Sequence, residues 1–155
     1  MADHPRKEVQ KAVDTPHKLR DKASAGEIGW EAMVDMFTDD ATYIDPAWGR
    51  YKGRDNIRQF LRDSMQGLKD WKFPTDWYVI EGNRVISRFR NRLPGRPADG
   101  TYYDVPGVSI IEYAGNGKFS FEEDVINMVH LYEVLTESGW VPGPDMKMPP
   151  AKVVR

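Results

Sequence analysis

The residues best suited to chemistry in this 155-residue chain are one tyrosine and two aspartates. Tyr43 and Asp45 are two residues apart, so on a strand their side chains share one face. Asp124 comes much later, at the end of the acidic run Glu122–Asp124. A carboxyl group in an apolar cavity loses solvation, which raises its pKa and lets it exchange protons near neutral pH. Asp124 is therefore a candidate base or acid if the fold places it in such a cavity, and Tyr43 is a candidate hydrogen-bond donor to a substrate oxygen.

Two carboxyl groups that share one site take different protonation states, so one donates a proton while the other accepts one. Asp45 and Asp124 fit these roles if the fold brings them together. The alternative is that Asp124 forms a structural ion pair with basic residues on neighbouring strands, which perturbs its pKa without any catalysis. Tyr43 has an equally simple alternative, a core tyrosine whose hydroxyl is satisfied.

Arg88, Arg90 and Arg92 alternate along the sequence, so their side chains project from one face of a strand. One interpretation is an exposed or interface stripe. The other is that one or two of them line a cavity and stabilise developing negative charge, because three buried guanidinium groups would cost too much solvation. On the second interpretation Arg88 is a candidate catalytic residue. The candidate ligand-binding residues are Trp30, Trp48, Tyr51, Trp77, Arg90 and Asp104.

The strand that carries Tyr43 and Asp45 is predicted to lie between two helices. Apolar residues at helical spacing predict an amphipathic helix from Trp30 to Phe37, and the polar residues 38–40 are expected to end it. The strand then runs from 41 to 45 and ends at Pro46, which lacks a backbone donor. An aromatic loop follows, and a second helix begins after Gly53.

The remaining pattern predicts a kinked helix or two short helices over residues 5–25, then four strands, and a short closing helix that ends at Gly139. The strands are predicted at 75–80, 85–93, 102–113 and 118–127, with a bulge at Pro106-Gly107. Helices followed by a run of strands indicate an α+β domain with a curved sheet wrapped on helices. We predict one domain over residues 1–140 and a proline-rich tail over 141–155, which is either loosely ordered or laid across a partner subunit.

The composition excludes several classes of site. The chain has no cysteine, which removes disulfides, thiol nucleophiles and zinc–thiolate sites and fits a reducing cytoplasm. The net charge of -2 is spread along the chain, so neither nucleic acid nor a membrane surface is an expected partner. The three histidines lack metal-ligand spacing and no nucleotide-binding motif is present, so we expect neither metal nor cofactor. Five tryptophans, seven tyrosines and six phenylalanines suit a pocket for a partly apolar ligand as well as ordinary core packing.

The order of elements and three stretches resemble the nuclear transport factor 2-like superfamily, from about Val9 to Glu137. The stretches are DMFTDDATYIDP, GRDNIRQFL and GNGKFSFEED. The superfamily includes SnoaL-like polyketide cyclases, ketosteroid isomerases and limonene epoxide hydrolases. The resemblance implies a cone-shaped half-barrel of curved, mostly antiparallel sheet around N-terminal helices, and it leaves the chemistry open because this fold hosts many functions.

The local pattern is similar to that of the limonene epoxide hydrolases, which hold a water with a Tyr and an Asn two residues apart. Here Tyr43 and Asp45 take those positions, and Asp124 takes that of the family's basic Asp on the last strand. The family's Arg-x-Asp matches Arg88-Phe89-Arg90 without its acid, which Asp45 or Asp104 would have to replace. The SnoaL cyclases use an Asp three residues after the Asp124 position, where this chain has Asn127.

The face occupied by Asp124 is predicted differently by two arguments. Alternation places Phe119, Phe121 and Val125 on one face with Glu123, which would turn Asp124 away from the core. The resemblance implies the reverse, with the outer face of the sheet covered by a second subunit, and we follow it. The sequence then predicts a homodimeric, cofactor-free isomerase, cyclase or hydrolase that acts on a small hydrophobic, oxygen-bearing molecule. The alternative is a non-catalytic ligand-binding or dimerisation domain.

Overall fold

A computed structural model, which describes residues 2–155, confirms the predicted α+β class. Three α-helices, one 3₁₀ helix and six strands occur among these residues. In chain order they are α1 (Arg6–Ser24), the 3₁₀ helix (Trp30–Met36), β1 (Phe37–Asp45), β2 (Gly49–Lys52), α2 (Arg54–Met65), β3 (Thr75–Glu81), β4 (Arg84–Arg92), β5 (Asp104–Gly115), β6 (Lys118–Ile126) and α3 (Met128–Ser138).

The six strands form one curved, open sheet in the order β2-β1-β6-β5-β4-β3. Only β1 and β6 run parallel, and the other neighbouring pairs are antiparallel. This parallel pairing places the first strand of the chain, β1, directly beside the last strand, β6. Tyr43 on β1 lies opposite Glu122 on β6, and Ser109 on β5 lies opposite Asp124.

The helices cover the inner face of the sheet through one buried stripe each. In α2 the buried residues are Ile57, Phe60, Leu61 and Ser64, the spacing of a single helical face. Helix α1 is continuous through the buried Pro16, so the two-helix alternative for residues 5–25 is wrong. Burial of this face compensates the hydrogen bond that a proline removes from a helix interior.

Helices α2 and α3 begin and end at residues that are typical of helix termini. Gly53 precedes α2 and has a backbone φ of 89°, which residues other than glycine rarely adopt. Asn127 caps α3, since its side chain accepts a hydrogen bond from the backbone N–H of His130 at 3.2 Å. Gly139 ends α3 in the left-handed conformation, as predicted.

Three predictions between residues 30 and 53 are wrong. Trp30–Met36 is a 3₁₀ helix, and residues 37–40 belong to β1 instead of a turn. The reason is tertiary: Phe37 pairs with Phe119 on β6 and is buried, which outweighs the turn preference of the polar residues after it. The supposed aromatic loop contains β2, whose Tyr51 pairs with Tyr43 in a hairpin.

The predicted bulge at Pro106-Gly107 is also wrong, because β4 and β5 pair there in continuous register. The glycine serves a different purpose. A Cβ on Gly107 would lie 2.5 Å from Cζ of Phe89 on the neighbouring strand. Glycine therefore leaves room for a phenylalanine ring on the inner face of the sheet. The irregularities lie further along β5, between Glu112 and Gly115.

The core has two clusters. The larger lies between α1, the 3₁₀ helix, α2 and the sheet, and includes Val9, Val34 and Ile57. The smaller lies beneath α3 and includes Trp71 and Val105. Beyond α3, the tail packs against the same chain, and Lys147 forms an ion pair with Asp63 of α2. No helix within residues 2–155 has both the length and the apolar character needed to cross a membrane.

Candidate acid–base site

Asp124 lies at the centre of a hydrogen-bonded group built by three adjacent strands. The Ser109 hydroxyl on β5 donates to Oδ1 at 2.5 Å, and the Tyr43 hydroxyl on β1 donates to Oδ2 at 2.6 Å. Both partners come from the register. Ser109 on β5 is the cross-strand neighbour of Asp124, and Tyr43 lies on β1, on the other side of β6, opposite Glu122. Both oxygens of the carboxylate are thus held in fixed directions.

A bulge in β6 explains why Asp124 points inward. Tyr113 and Glu112, which are adjacent, pair with Phe119 and Phe121, so Ser120 is an extra residue in β6. The extra residue reverses the alternation, and Phe119 therefore points to the same side as the acidic residues that follow it. Phe119 is buried in the core of its own chain, which corrects the expectation that a second subunit covers it.

Glu122 is a member of this site that the sequence analysis missed. Its side chain is buried, and its residue is only 6% exposed. Burial raises the pKa of Glu122 to about 8, and the nearby Asp124 raises it in the same direction. The signal was in the sequence, because Glu122 precedes Asp124 by two residues and must share its face.

The charge of Asp124 favours the protonated form of Glu122. Burial raises the pKa of Asp124, while the hydrogen bonds from Ser109 and Tyr43 lower it by favouring the charged form. Because Asp124 receives both hydroxyl donors, we assign the negative charge to Asp124 and the proton to Glu122 at neutral pH. Burial also raises the pKa of Tyr43 well above its ordinary value, so this phenol stays protonated and able to donate.

Asp45 shapes the neighbouring turn. Its Oδ1 accepts the backbone N–H groups of Ala47 and Trp48, each at 2.8 Å. Burial and the charge of Asp124 raise the pKa of Asp45 to about 6, and the two N–H groups oppose that rise. One oxygen of Asp45 is therefore committed to the backbone of the turn that positions Trp48.

These acids line a cavity of about 290 Å³ between the sheet, the helices and the tail. Most of its wall is apolar and aromatic. Among residues 2–155, Arg20 of α1 is the only basic side chain in the wall, and it is one the sequence analysis missed. The indole Nε1 of Trp71, also in the wall, is buried without a hydrogen-bond partner in this part of the chain. The aromatic residues of the wall are Trp30, Phe37, Tyr43, Trp48, Phe60, Trp71, Phe73, Phe89, Tyr132 and Trp140.

Five of the ten predicted site residues line this cavity. They are Trp30, Tyr43, Asp45, Trp48 and Asp124. The structure gives the positions of these five residues, and their roles stay predictions. Tyr51 lies behind the wall, where its ring stacks on that of Phe60 at a centroid distance of 4.7 Å.

The other four predicted residues lie on the outer face of the sheet, so their assignment to a pocket is corrected. Arg88 and Arg90 both pair with Asp76, and Arg90 also pairs with Asp104 at 3.2 Å. Of the two interpretations of the alternating arginines, the exposed stripe fits the structure and the cavity clamp does not. The two residues between the arginines, Phe89 and Asn91, point inward and line the cavity. The fourth residue is Trp77, which is 50% exposed.

The chain belongs to the SnoaL-like domain family, which matches residues 24–121, more than half of its length. No curated protein matches it in sequence. Within residues 2–155, no group of three or more His, Cys, Asp or Glu side chains has the arrangement of a metal site.

Three solved structures illustrate the shared fold. One is assigned to the SnoaL-like polyketide cyclases, from Jannaschia sp. CCS1 (17% identity, TM-score 0.65, covering 88% of this chain and 98% of that one). Another is an LEH-like epoxide hydrolase from M. tuberculosis (17%, 0.61, 84% and 91%). The third, with a ketosteroid isomerase-like fold, is from Catenulispora acidiphila DSM 44928 in complex with trimethylamine (21%, 0.60, 78% and 92%). At these identities the likeness extends to the fold alone.

Proposed function

We propose that this protein is a cofactor-free acid–base enzyme, an isomerase, cyclase or hydrolase, that acts on a small apolar molecule bearing oxygen. One observation carries the proposal: Asp124 is held by two hydroxyl donors, next to the buried Glu122, at the wall of an apolar cavity. A charged base beside a neutral acid is the equipment for moving a proton from one substrate atom to another.

Isomerisation through an enol uses this equipment without any other reactant. The Asp124 carboxylate takes a proton from the carbon next to a carbonyl, while Glu122 gives its proton to the carbonyl oxygen. Asp124 then returns its proton to a different carbon, and Glu122 recovers its own from the enol. The cycle ends with both acids in their original states. Arg20 is suited to stabilise the negative charge that develops on oxygen, the role first given to Arg88.

Cyclisation of the aldol type begins with the same proton abstraction. Epoxide opening differs, because the base must hold a water and an acid must protonate the leaving oxygen. Asp45 has one oxygen committed to the turn, which leaves Glu122 as the better placed acid. Isomerisation and cyclisation need only the base and the acid, whereas epoxide hydrolysis also needs a bound water. We therefore favour isomerisation or cyclisation.

The test is deuterium incorporation by mass spectrometry with steroid enones, polyketide-like β-dicarbonyls and terpene epoxides in D₂O. We expect wild type to accelerate exchange or product formation in at least one class. The Glu123→Gln variant serves as matched control, since residue 123 lies on the opposite face, and it should match wild type. Rates equal to those of the protein-free reaction across all three classes would contradict the proposal.

The second candidate is a non-catalytic binding domain. Its supporting observation is that Asp124, Tyr43 and Ser109 satisfy one another without a ligand. A binder would then use the Trp71 indole, whose N–H has no hydrogen-bond partner within residues 2–155, to fix a ligand oxygen. Native mass spectrometry that shows retained ligand without deuterium exchange would favour this candidate.

The homodimer stays a prediction, and the outer face of the sheet supports it. Trp77, Val79 and Val125 are each about half exposed there. Trp77 and Val125 belong to one cross-strand row with Arg88 and Val108. We expect sedimentation velocity to give a dimer, and a Val125→Asp variant to give a monomer, since an unpaired charge in an apolar interface is costly. A wild-type monomer at micromolar concentration would contradict the prediction. The cytoplasmic location likewise stays a prediction.

A further inference from the structure

The C-terminal tail, residues 141–155, forms one wall of the cavity. Met146, Met148 and Pro149 line it together with side chains from the helices and the sheet. These three residues lie well beyond residue 121, where the family match ends. The cavity of this chain is therefore completed by a segment that the family pattern does not include.

The tail is held by a few specific contacts. Lys147 Nζ lies 2.7 Å from Asp63 Oδ1 on α2. The backbone N–H of Arg50 donates to the carbonyl of Val154 at 2.6 Å, so the end of the tail pairs with β2, the edge strand of the sheet. Covering an open edge in this way also protects its unpaired backbone groups.

Gly67 leaves space for the tail. A Cβ at this position would lie 3.1 Å from Cβ of Met146 and closer still to its Cγ and Sδ. The backbone of Gly67 is not in the left-handed region, so this glycine is not needed for its conformation. Its lack of a side chain lets Met146 pack directly over the end of α2.

The tail is nevertheless less strongly held than the rest of the wall. Residues 141–155 contain no helix or strand, all of 141–145 is exposed, and Met148 is 59% exposed. A segment with few buried contacts opens at a lower free-energy cost than the sheet or the helices do. Methionine side chains are flexible and adapt to ligands of different shape.

We propose that residues 141–155 are a strap that closes the cavity, and that Met146 and Met148 set the size of the molecule it admits. The proposal rests on the use of the cavity as the ligand site of the proposed function. A closed strap excludes water from Asp124 and Glu122 during proton transfer, and an open strap lets ligand enter and leave. The strap thus governs both access and selection.

The absence of cysteine makes a direct test available. Ser64 of α2 is buried and lines the cavity, so a Ser64→Cys variant reports on access. Its labelling is measured with methyl and benzyl methanethiosulfonate, reagents that differ in size. With the strap intact we expect slow labelling and a preference for the methyl reagent. Deletion of residues 141–155, or Gly67→Ala, should accelerate labelling about tenfold or more and remove the size preference.

Thr15→Cys, at an exposed position of α1 that does not line the cavity, is the matched control, and its labelling should not respond to the strap. If the deletion variant does not fold, Gly67→Ala and Lys147→Ala provide the same comparison in the full chain. Unchanged labelling of Ser64→Cys, with both reagents, would overturn the proposal. Labelling does not depend on catalysis: a functioning strap with no deuterium exchange would refute only the proposed function, and exchange with unchanged labelling would refute only the strap.

Discussion

Asp124→Asn is expected to lower turnover by about 10²–10⁴-fold, the usual loss when a general base is removed, while the protein folds at least as stably as wild type. Asparagine has nearly the same shape and can still accept a hydrogen bond from Tyr43 or Ser109. It cannot take a proton from substrate. It also removes a charge whose burial is unfavourable, so the free energy of unfolding above neutral pH should stay equal or increase.

The combination of lost activity with retained stability separates a catalytic aspartate from a structural one. A structural role predicts the opposite, a less stable protein and a proportionate loss of activity. The experiment measures deuterium exchange on the responding substrate and urea unfolding on the same preparations. Glu123→Gln is again the control, because it removes an acid from the same strand without touching the cavity. Wild-type turnover in Asp124→Asn would exclude Asp124 as the base.

Much of the fold was predictable because local chemistry and tertiary packing agree over long segments. The β3–β4 and β5–β6 hairpins have strong turn residues, and their strands were predicted nearly in full. The segment 37–40 was not, since three polar residues favour a turn and only the pairing of Phe37 with Phe119 extends the strand. That pairing joins residues that are far apart in the sequence, and no local pattern reveals it.

The site was predictable where one strand carries the information. Tyr43 and Asp45 follow from alternation within β1. Glu122 follows from the same alternation once Asp124 is placed inward. The face of Asp124 was the open question, because the bulge at Ser120 reverses the alternation that seemed to bury Glu123. Arg20 comes from α1, and its approach to the acids depends on how that helix packs on the sheet.

The course of the tail, residues 141–155, was the least predictable part of the fold. Its prolines and weak periodicity indicate only an irregular segment. Its course depends on Gly67 and on the edge of β2, features that have no apparent relation to residues 141–155 until the chain is folded.

Glu122→Gln is expected to change how stability depends on pH more than any other single substitution in the site. The pKa of Glu122 is raised from 4.5 in the unfolded chain to about 8 in the folded protein. The folded state therefore holds this proton more tightly, and its stabilising contribution is fully present below about pH 4.5 and lost as pH rises through 8. In wild type this loss amounts to a few kcal/mol, since one pKa unit corresponds to about 1.4 kcal/mol.

Glutamine has no proton to lose, so the variant should keep most of that stability at alkaline pH. At alkaline pH wild type also carries a second negative charge beside Asp124, and its absence from Glu122→Gln flattens the curve further. Urea unfolding at pH 5, 7 and 9, followed by tryptophan fluorescence, measures the difference. The two proteins should be similar at pH 5, and the variant should be more stable by a few kcal/mol at pH 9. Asp45 titrates in both proteins, so its contribution to the free energy of unfolding cancels in the comparison. Parallel curves for wild type and Glu122→Gln would mean that Glu122 is ionised at neutral pH, and the neutral acid of the proposed mechanism would have to be another residue.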